Sequence, residues 1–366
     1  NGDGSSRSNI LKHDHEKQNG TTSSIKYEII GCDDTKYINY NSGFSGSWEY
    51  VVKNSKKIIN FIDFPGNPKF FKTTLFGLIA HRPDYILLFI SIDNVYNNKT
   101  NEVMFDDDTK LHINLCTKLN VPFALIITKK DLISNDQLQE IIIKINNLMV
   151  NESSQLQMIV ISNITGENVD LVKLLLKNLY VQKINKKINN NTTEFMVNDV
   201  FYIPDVGTVV TGILNEGRIK IENKLLIGPI NKTFYNTEVL SIHKKQIPCK
   251  YLYQGEIGSL VIKLDNLINI NKHMMIFTPD QLNHFIEKFK IKIPKKNYIE
   301  LKINLSLMAM CRNIYDSITI LDINENENDY VIDVIFYNHN IHFLKNNEYI
   351  VIRYNNDIII GNILLI

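Results

Sequence analysis

At about residue 190 the hydrophobic pattern of this chain changes its period, and no single layered domain accommodates both halves. Before that point, apolar strand-like runs at Lys57–Ile62, Tyr85–Ile92, Phe123–Thr128 and Met158–Ile161 alternate with helical patterns at Lys69–Ala80, Thr109–Leu119 and Asn135–Met149. Ser134 and Gln137 have the spacing of a capping box and mark the start of the third helix. Such alternation predicts a mostly parallel sheet with helices on both faces, whose ligands sit at the carboxyl ends of the strands. After that point the runs are short and alternating, at Phe195–Ile203, Gly207–Leu214, Lys224–Ile227 and Glu238–His243, and Gly, Pro and Asn break them. No helical period appears, so a small closed β-barrel is expected. A second β-rich block runs from Phe289 to Ile366, with turn signals at Asn324–Asp329 and Asn355–Asp357, and the two blocks part near Pro279. The polar stretch Lys183–Glu194 reads as a linker and Asn94–Asn101 as an exposed loop. A chain of 366 residues exceeds the roughly 250–300 that one core serves. The fold class expected is therefore multidomain α/β plus all-β: an α/β domain over 1–185, a barrel over 193–280 and a second barrel over 285–366.

Composition narrows the function less than the motifs do. With 40 basic and 39 acidic residues, the net charge of +1 announces no polyanionic partner. His243, Lys244 and Lys245 are a local basic patch, equally readable as a solvated strand end. The four cysteines form no Cys-x-x-Cys pair, which argues against a zinc site or disulfide framework and for a reducing, cytoplasmic setting. The longest apolar runs are too short to span a bilayer, so no membrane partner is expected. The chain opens on Asn1, with no signal-peptide pattern after it, and reads as if it begins inside a domain.

Three loops, each following a predicted strand, carry chemistry. In Asp63-Phe64-Pro65-Gly66, an Asp at a strand end is suited to hold Mg2+ through water. The Gly lets a backbone N–H approach a γ-phosphate closely. In Thr128-Lys129-Lys130-Asp131, one carboxylate can accept both N1–H and the N2 amino group of guanine, with the Lys129 stem flat against the base. In Ser162-Asn163-Ile164-Thr165-Gly166-Glu167-Asn168, backbone N–H groups can meet guanine O6. Each alone reads as a surface turn or helix cap; their order is the argument. Nearer the start, Gly20-Thr21-Thr22-Ser23-Ser24 offers a threonine hydroxyl to Mg2+ in a switching loop. His13-Asp14-His15-Glu16 places His and Glu three apart, a weak metal signal without a distal ligand cluster.

At these residues the chain resembles the GTP-binding protein 1/2 group of translation-type GTPases, relatives of elongation factors Tu and 1-alpha. HDHEKQNGTTSS at 13–24 is similar to switch I, and FIDFPG at 61–66 with KTTLFG at 72–77 to switch II. VPFALIITKKD at 121–131 is similar to the guanine-specificity strand, and ISNITGENVDL at 161–171 is the closest match. IPDVGTVVTG at 203–212, LLIGP at 225–229 and SIHKK at 241–245 follow in order as a barrel signature, with weaker likeness at 311–320 and 353–361. The resemblance implies a P-loop-NTPase-like G domain followed by two β-barrels, and GTP/GDP and Mg2+ as cofactors. It implies Thr22 and Asp63 as cation ligands, and Thr128, Lys129, Asp131, Ser162, Asn163 and Ile164 around the base. Gly66 and Asn67 fall at the hydrolytic position. It further implies a cytoplasmic monomer that meets tRNA, the ribosome or RNA-processing proteins. Three departures qualify it. No Gly-x-x-x-x-Gly-Lys-Ser/Thr loop occurs in the 366 residues, so that loop is expected upstream of Asn1. Asn67 stands where family-like sequences carry His, which predicts slow hydrolysis. Thr128 replaces the more typical Asn. A degenerate G-domain scaffold that binds RNA or protein without hydrolysis stays open as the alternative.

Overall fold

The structure is a computed structural model that describes residues 11, 13–33, 36–39, 47–92, 95–97, 102–119, 121–149, 157–180, 192–264, 268–295, 300–354 and 357–365. Most of the expected linker, the outer part of the 94–101 segment and the turn at 355–356 lie outside the described residues. The chain divides into two compact units, residues 1–78 with 82–184, and residues 79–81 with 185–366.

The first unit contains α1 (Asp14–Asn19), β1 (Lys26–Cys32), β2 (Tyr37–Ile38), α2 (Ser47–Asn54), β3 (Lys57–Asp63), all but the last three residues of α3 (Phe71–His81), β4 (Ile86–Ser91), β5 (Tyr96–Asn97) and β6 (Glu102–Val103). After these come α4 (Asp107–Leu119), β7 (Phe123–Thr128), α5 (Asn135–Met149), β8 (Gln157–Val160) and α6 (Val169–Asn178). Among the described residues its strands form two sheets of three and the pair β5-β6 rather than one sheet. The order β4-β7-β8 is parallel, as the alternation predicts, because α4 and α5 supply the crossovers that parallel pairing needs. The order β2-β1-β3 is antiparallel. There the Asp33 side chain accepts from the Lys36 N–H at 2.8 Å, and the tight reversal keeps β1 hydrogen-bonded to β2. The predicted capping box starts α5: Ser134 N–H donates to Gln137 Oε1 at 2.9 Å and Gln137 N–H to Ser134 Oγ at 3.3 Å.

β7 carries the core. Leu125 and Ile127 pack on one face with Ile113, Ile141 and Ile145, while Ala124 and Ile126 pack on the other with Ile161 and Leu175. Helices thus cover both faces and the strand reads as continuously apolar. Within the segment expected to be an exposed loop, Val95 and Tyr96 are buried in that same core, and Gln137 donates to the Tyr96 hydroxyl at 3.0 Å. The N-terminal sheet is tied to α6 through polar groups. Lys57 Nζ donates to the carbonyls of Leu176 and Lys177 at 3.0 and 2.9 Å and also to that of Leu179, satisfying the orphan acceptors of the helix end.

The second unit is all-β, with strands β9 (Thr193–Ile203), β10 (Gly207–Lys220), β11 (Lys224–Ile230), β12 (Thr233–Lys244), β13 (Ile247–Cys249), β14 (Tyr251–Tyr253), β15 (Ile257–Leu264) and β16 (Met275–Phe277). Six of them close a barrel in the order β11-β16-β9-β10-β15-β12 through the β11–β12 pairing. Gly212, in the barrel signature, sits at a bulge where a Cβ would lie 1.8 Å from the Met196 carbonyl oxygen, so no side chain fits. After β17 (Phe285–Ile286), a second closed barrel uses β18 (Lys288–Pro294), β19 (Ser306–Cys311), β20 (Ile314–Glu325), β21 (Asp329–Phe336), β23 (Tyr349–Tyr354) and β24 (Asp357–Leu364), while β22 (His342–Phe343) pairs with β17. Each barrel has its own apolar interior, centred on Phe195, Val210 and Leu260 in the first and on Phe289, Ile332 and Phe336 in the second. Phe234, Phe277, Phe285 and Phe343 pack edge-on or tilted against one another where the two barrels meet. Beside them the buried Arg312 donates to both Glu348 oxygens at 2.6 and 2.7 Å and to Glu194 at 3.1 Å. Lys345 pairs with Glu194 and, at 2.6 Å, with Glu216.

Candidate functional site

Two loops at the carboxyl ends of β7 and β8 are laced together by polar groups. Ile161 N–H donates to the Ile127 carbonyl at 2.7 Å, Lys130 N–H to the Ile161 carbonyl at 3.1 Å, and the Lys130 ammonium pairs with Glu167. Thr128 Oγ1 donates to the Ile90 carbonyl at 3.4 Å, so its hydroxyl faces the sheet. Lys129 has a left-handed backbone, φ 65°, an uncommon conformation for a residue with a Cβ, imposed by the turn between β7 and the next short helix.

At the centre, the fully buried Ser162 donates its hydroxyl to Asp131 Oδ1 at 2.5 Å, across 31 residues of sequence. That bond orients an otherwise exposed carboxylate and leaves Oδ2 without a hydrogen bond or ion pair among the described residues. Ser162 Oγ also accepts the Thr165 N–H at 3.2 Å, and Ser162 N–H donates to the Glu167 carbonyl at 3.1 Å. The Ser162 amide is therefore engaged within its own turn. The exposed Asn163 and Ile164 keep amide N–H groups that bond to nothing in the described residues. Asn168, with φ 59° at the start of α6, makes no side-chain cap; its amide donates instead to the Val160 carbonyl at 2.8 Å.

The second group lies at the end of β3. Thr22 Oγ1 donates to Asp63 Oδ2 at 3.2 Å, so the two residues expected to hold a cation meet although 41 positions separate them. Both side chains offer hard oxygen donors, the ligand chemistry that Mg2+ takes, so the residues present would fit such an ion, directly or through water. Gly66 has open space where a Cβ would be, so a ligand can approach its backbone. The exposed Asn67 is not a free side chain: its Oδ1 accepts from the Lys69 N–H at 2.9 Å and caps a short helical turn at Pro68–Phe70. The switch-like loop is seated on α3 by Thr74, whose hydroxyl donates to the Pro65 carbonyl at 2.5 Å. Gly77 permits the Phe64 ring to lie on α3, since a Cβ there would be 2.4 Å from the ring.

The sequence reading missed the part played by Glu16. Its side chain is fully buried, with Oε1 accepting the N–H groups of Ser23 and Ser24 at 2.8 and 3.2 Å and their hydroxyls at 2.8 and 3.3 Å. Oε2 accepts from Lys26 Nζ at 2.5 Å and from the His13 N–H at 3.2 Å. Burial pushes this carboxyl's pKa up. Lys26 and the amide and hydroxyl donors outweigh that and hold it far below the ordinary range. The His13 and His15 rings stack at 5.4 Å, and His15 Nε2 meets Ser23 Oγ at 2.8 Å. The i, i+3 spacing of His13 and Glu16 thus closes a helix start. Among the described residues no group of three or more His, Cys, Asp or Glu side chains is placed to hold a metal.

The fold and these loops define a class, the translation-type GTP-binding proteins. Residues 3–202 match the family model described as the elongation factor Tu GTP binding domain, and the chain belongs to that family. It is 32% identical to GTP-binding protein 1 of Xenopus laevis over 307 residues, covering 76% of this chain and 45% of that one. It is 29% identical to GTP-binding protein 2 of Mus musculus over 323 residues, covering 80% and 52%. The chain thus spans about half the length of the curated relatives it matches. In fold it is similar to a bacterial selenocysteine-specific elongation factor, with a TM-score of 0.73 at 16% identity over 99% of this chain and 56% of that one. It is also similar to the GTPase-like domain of S. cerevisiae Ski7 bound to GTP, with a TM-score of 0.72 at 14% identity over 96% and 85%. No helix among the described residues is long and apolar enough to cross a membrane.

Proposed function

We propose that this chain is the working body of a GTP-controlled switch that acts on RNA of the translation apparatus. Its parts are a G domain over 1–185, a barrel over 193–280 and a second barrel over 285–366. The observation that carries the reading is the Ser162–Asp131 hydrogen bond, which aims one carboxylate out of a rigid turn. That carboxylate accepts N1–H and N2–H of guanine, the Lys129 stem covers the base, and the Asn163 and Ile164 amides meet O6. Thr22 and Asp63 would hold Mg2+, which would supply positive charge against the phosphates. Gly66 closes on the γ-phosphate and Asn67 lies beside the attacking water, where a neutral amide orients water without accepting its proton. The partner is tRNA or the ribosome, a reading supported by sequence relatives named as elongation factors.

The experiment is competition for a fluorescent guanine nucleotide in the full-length protein. GDP is expected to displace it far better than ADP. Asp131→Asn is expected to weaken GDP by about 10- to 100-fold, through loss of a charged acceptor, and to favour xanthine diphosphate. Equal affinity for GDP and ADP in the unmodified protein would overturn the assignment. One observation favours a second reading, a scaffold that binds RNA or protein without hydrolysis: the Asn67 oxygen is already held by the Lys69 N–H. Single-turnover hydrolysis that is undetectable with GTP bound, with or without ribosomes, would select the scaffold.

A further inference from the structure

Glu16 is a costly residue for a surface helix of six residues. A fully buried carboxylate is tolerated only where its lone pairs are satisfied and its charge is paired. Here both conditions are met by groups from three separate points on the backbone. His13 lies at the start of α1, Ser23 and Ser24 in the loop after it, and Lys26 at the first position of β1. Gly20, at φ 64°, ends α1 and turns the chain toward Thr22. The loop is therefore cinched at both ends onto one carboxylate. Its tip residue Thr22, only 4% exposed, is directed inward onto Asp63. The contacts that close this loop all belong to the chain itself.

We propose that Glu16 is a positioning residue that keeps residues 20–25 closed on Asp63 independently of nucleotide, so that the cation pair Thr22–Asp63 is preassembled. The proposal rests on the reading of Thr22 and Asp63 as cation ligands. Its consequence is a switch loop whose closed form is already populated, which removes the ordering cost from ligand binding. Glu16 touches neither substrate nor cation in this scheme. It acts through the serine amides and hydroxyls, and Lys26 keeps it ionised.

Amide hydrogen exchange of the full chain, read by peptide across 13–26 and, as an internal control, across β7, tests this without nucleotide. The wild type is expected to protect the Ser23 and Ser24 amides. Glu16→Ala is expected to release them by about 10- to 100-fold, the cost of a lost charge-assisted hydrogen bond, with β7 unchanged. Glu16→Gln sets an amide donor against the buried Lys26 ammonium and is expected to open the loop as well. Adding Lys26→Met removes that conflict and should restore most of the protection, a rescue that a role in bulk packing would not show. Thr22→Ala is expected to leave Ser23 and Ser24 protected. The proposal is overturned if Glu16→Ala exchanges like wild type, if the release spreads equally to β7, or if Thr22→Ala opens the loop as far as Glu16→Ala does. Failure of the guanine-nucleotide reading would show in the displacement assay and leave this exchange pattern intact.

Discussion

Two buried ionic hubs among the described residues do different work. Arg312 with Glu194 and Glu348 lies between elements already locked by closed strand ladders, whereas Glu16 with Lys26 lies under a loop that has no ladder of its own. In the barrels every main strand has two neighbours, so the ion network joins bodies that are rigid without it. In the α/β unit β3 and β4 each pair along one edge among the described residues. Both are only partly buried, while β7 is buried along four of its six positions. The same chemistry, a carboxylate saturated by donors, gives stiffness in one region and holds a loop in the other. A charge network fixes what its surroundings leave free: the joint between two closed barrels in the first case, the loop itself in the second.

The largest expected effect breaks the barrel hub. Arg312→Ala leaves Glu194 buried without its guanidinium partner, and loss of one member of such a pair costs about 3–5 kcal/mol. Urea unfolding followed by exchange in β9 and β19 should show it, and an unchanged midpoint would mean that the barrels stay joined by their phenylalanines alone. Next, Gly77→Val drives a side chain into the Phe64 ring and Ile25, an overpacking cost of about 1–3 kcal/mol confined to the α/β unit. If the barrels lose as much, the two regions are not energetically separate.

Asn67→His should raise single-turnover GTP hydrolysis by at least about tenfold, below the usual 10²–10⁴-fold of a positioned acid–base group because the helix cap on Lys69 is lost with the Asn. An unchanged rate in the presence of ribosomes would remove Asn67 from the water site. The smallest effect sharpens the contrast through pH. Burial raises the Glu216 and Asp316 carboxyls, but Lys345 and His342 respectively outweigh it and leave both below their ordinary values. Groups depressed on folding stabilise above the unfolded carboxylate range of about 4 and lose that contribution as pH falls through the folded value. The barrel unit should therefore hold its urea midpoint from about pH 7 to 5 and lose it progressively below about 4. A Lys345→Met protein should start lower and depend less on acid.

Much of the architecture was legible because strand and helix periods are local. Ser134 and Gln137 lie three residues apart and form the cap that their spacing predicts. The parallel order of β4, β7 and β8 follows from the helical segments between them. What misled the reading was context at a distance. The polar segment around Val95 and Tyr96 reads as a loop, yet the α4–α5 face of the core takes up both side chains. Glu16 read as half of a weak metal signal because its serine and lysine partners lie beyond the helix that frames it. The cap that Asn67 places on the Lys69 N–H went unread because it depends on the turn at Pro68.

The sequence by itself determined where strands end, and therefore which residues, Asp63, Thr128 to Asp131 and Ser162 to Ile164, stand at or just after their carboxyl ends. It also determined the change from a layered to an all-β half, because both are written in periods of two and of about 3.6 residues. Only the tertiary structure decided which polar side chains meet: Ser162 with Asp131, Thr22 with Asp63, Glu16 with Lys26, Arg312 with Glu194. The reason is physical. A period is carried by neighbours within a turn or a strand. The pairing and burial of a charge depend on elements 118 or even 129 residues apart closing around it, and no local pattern records that closure.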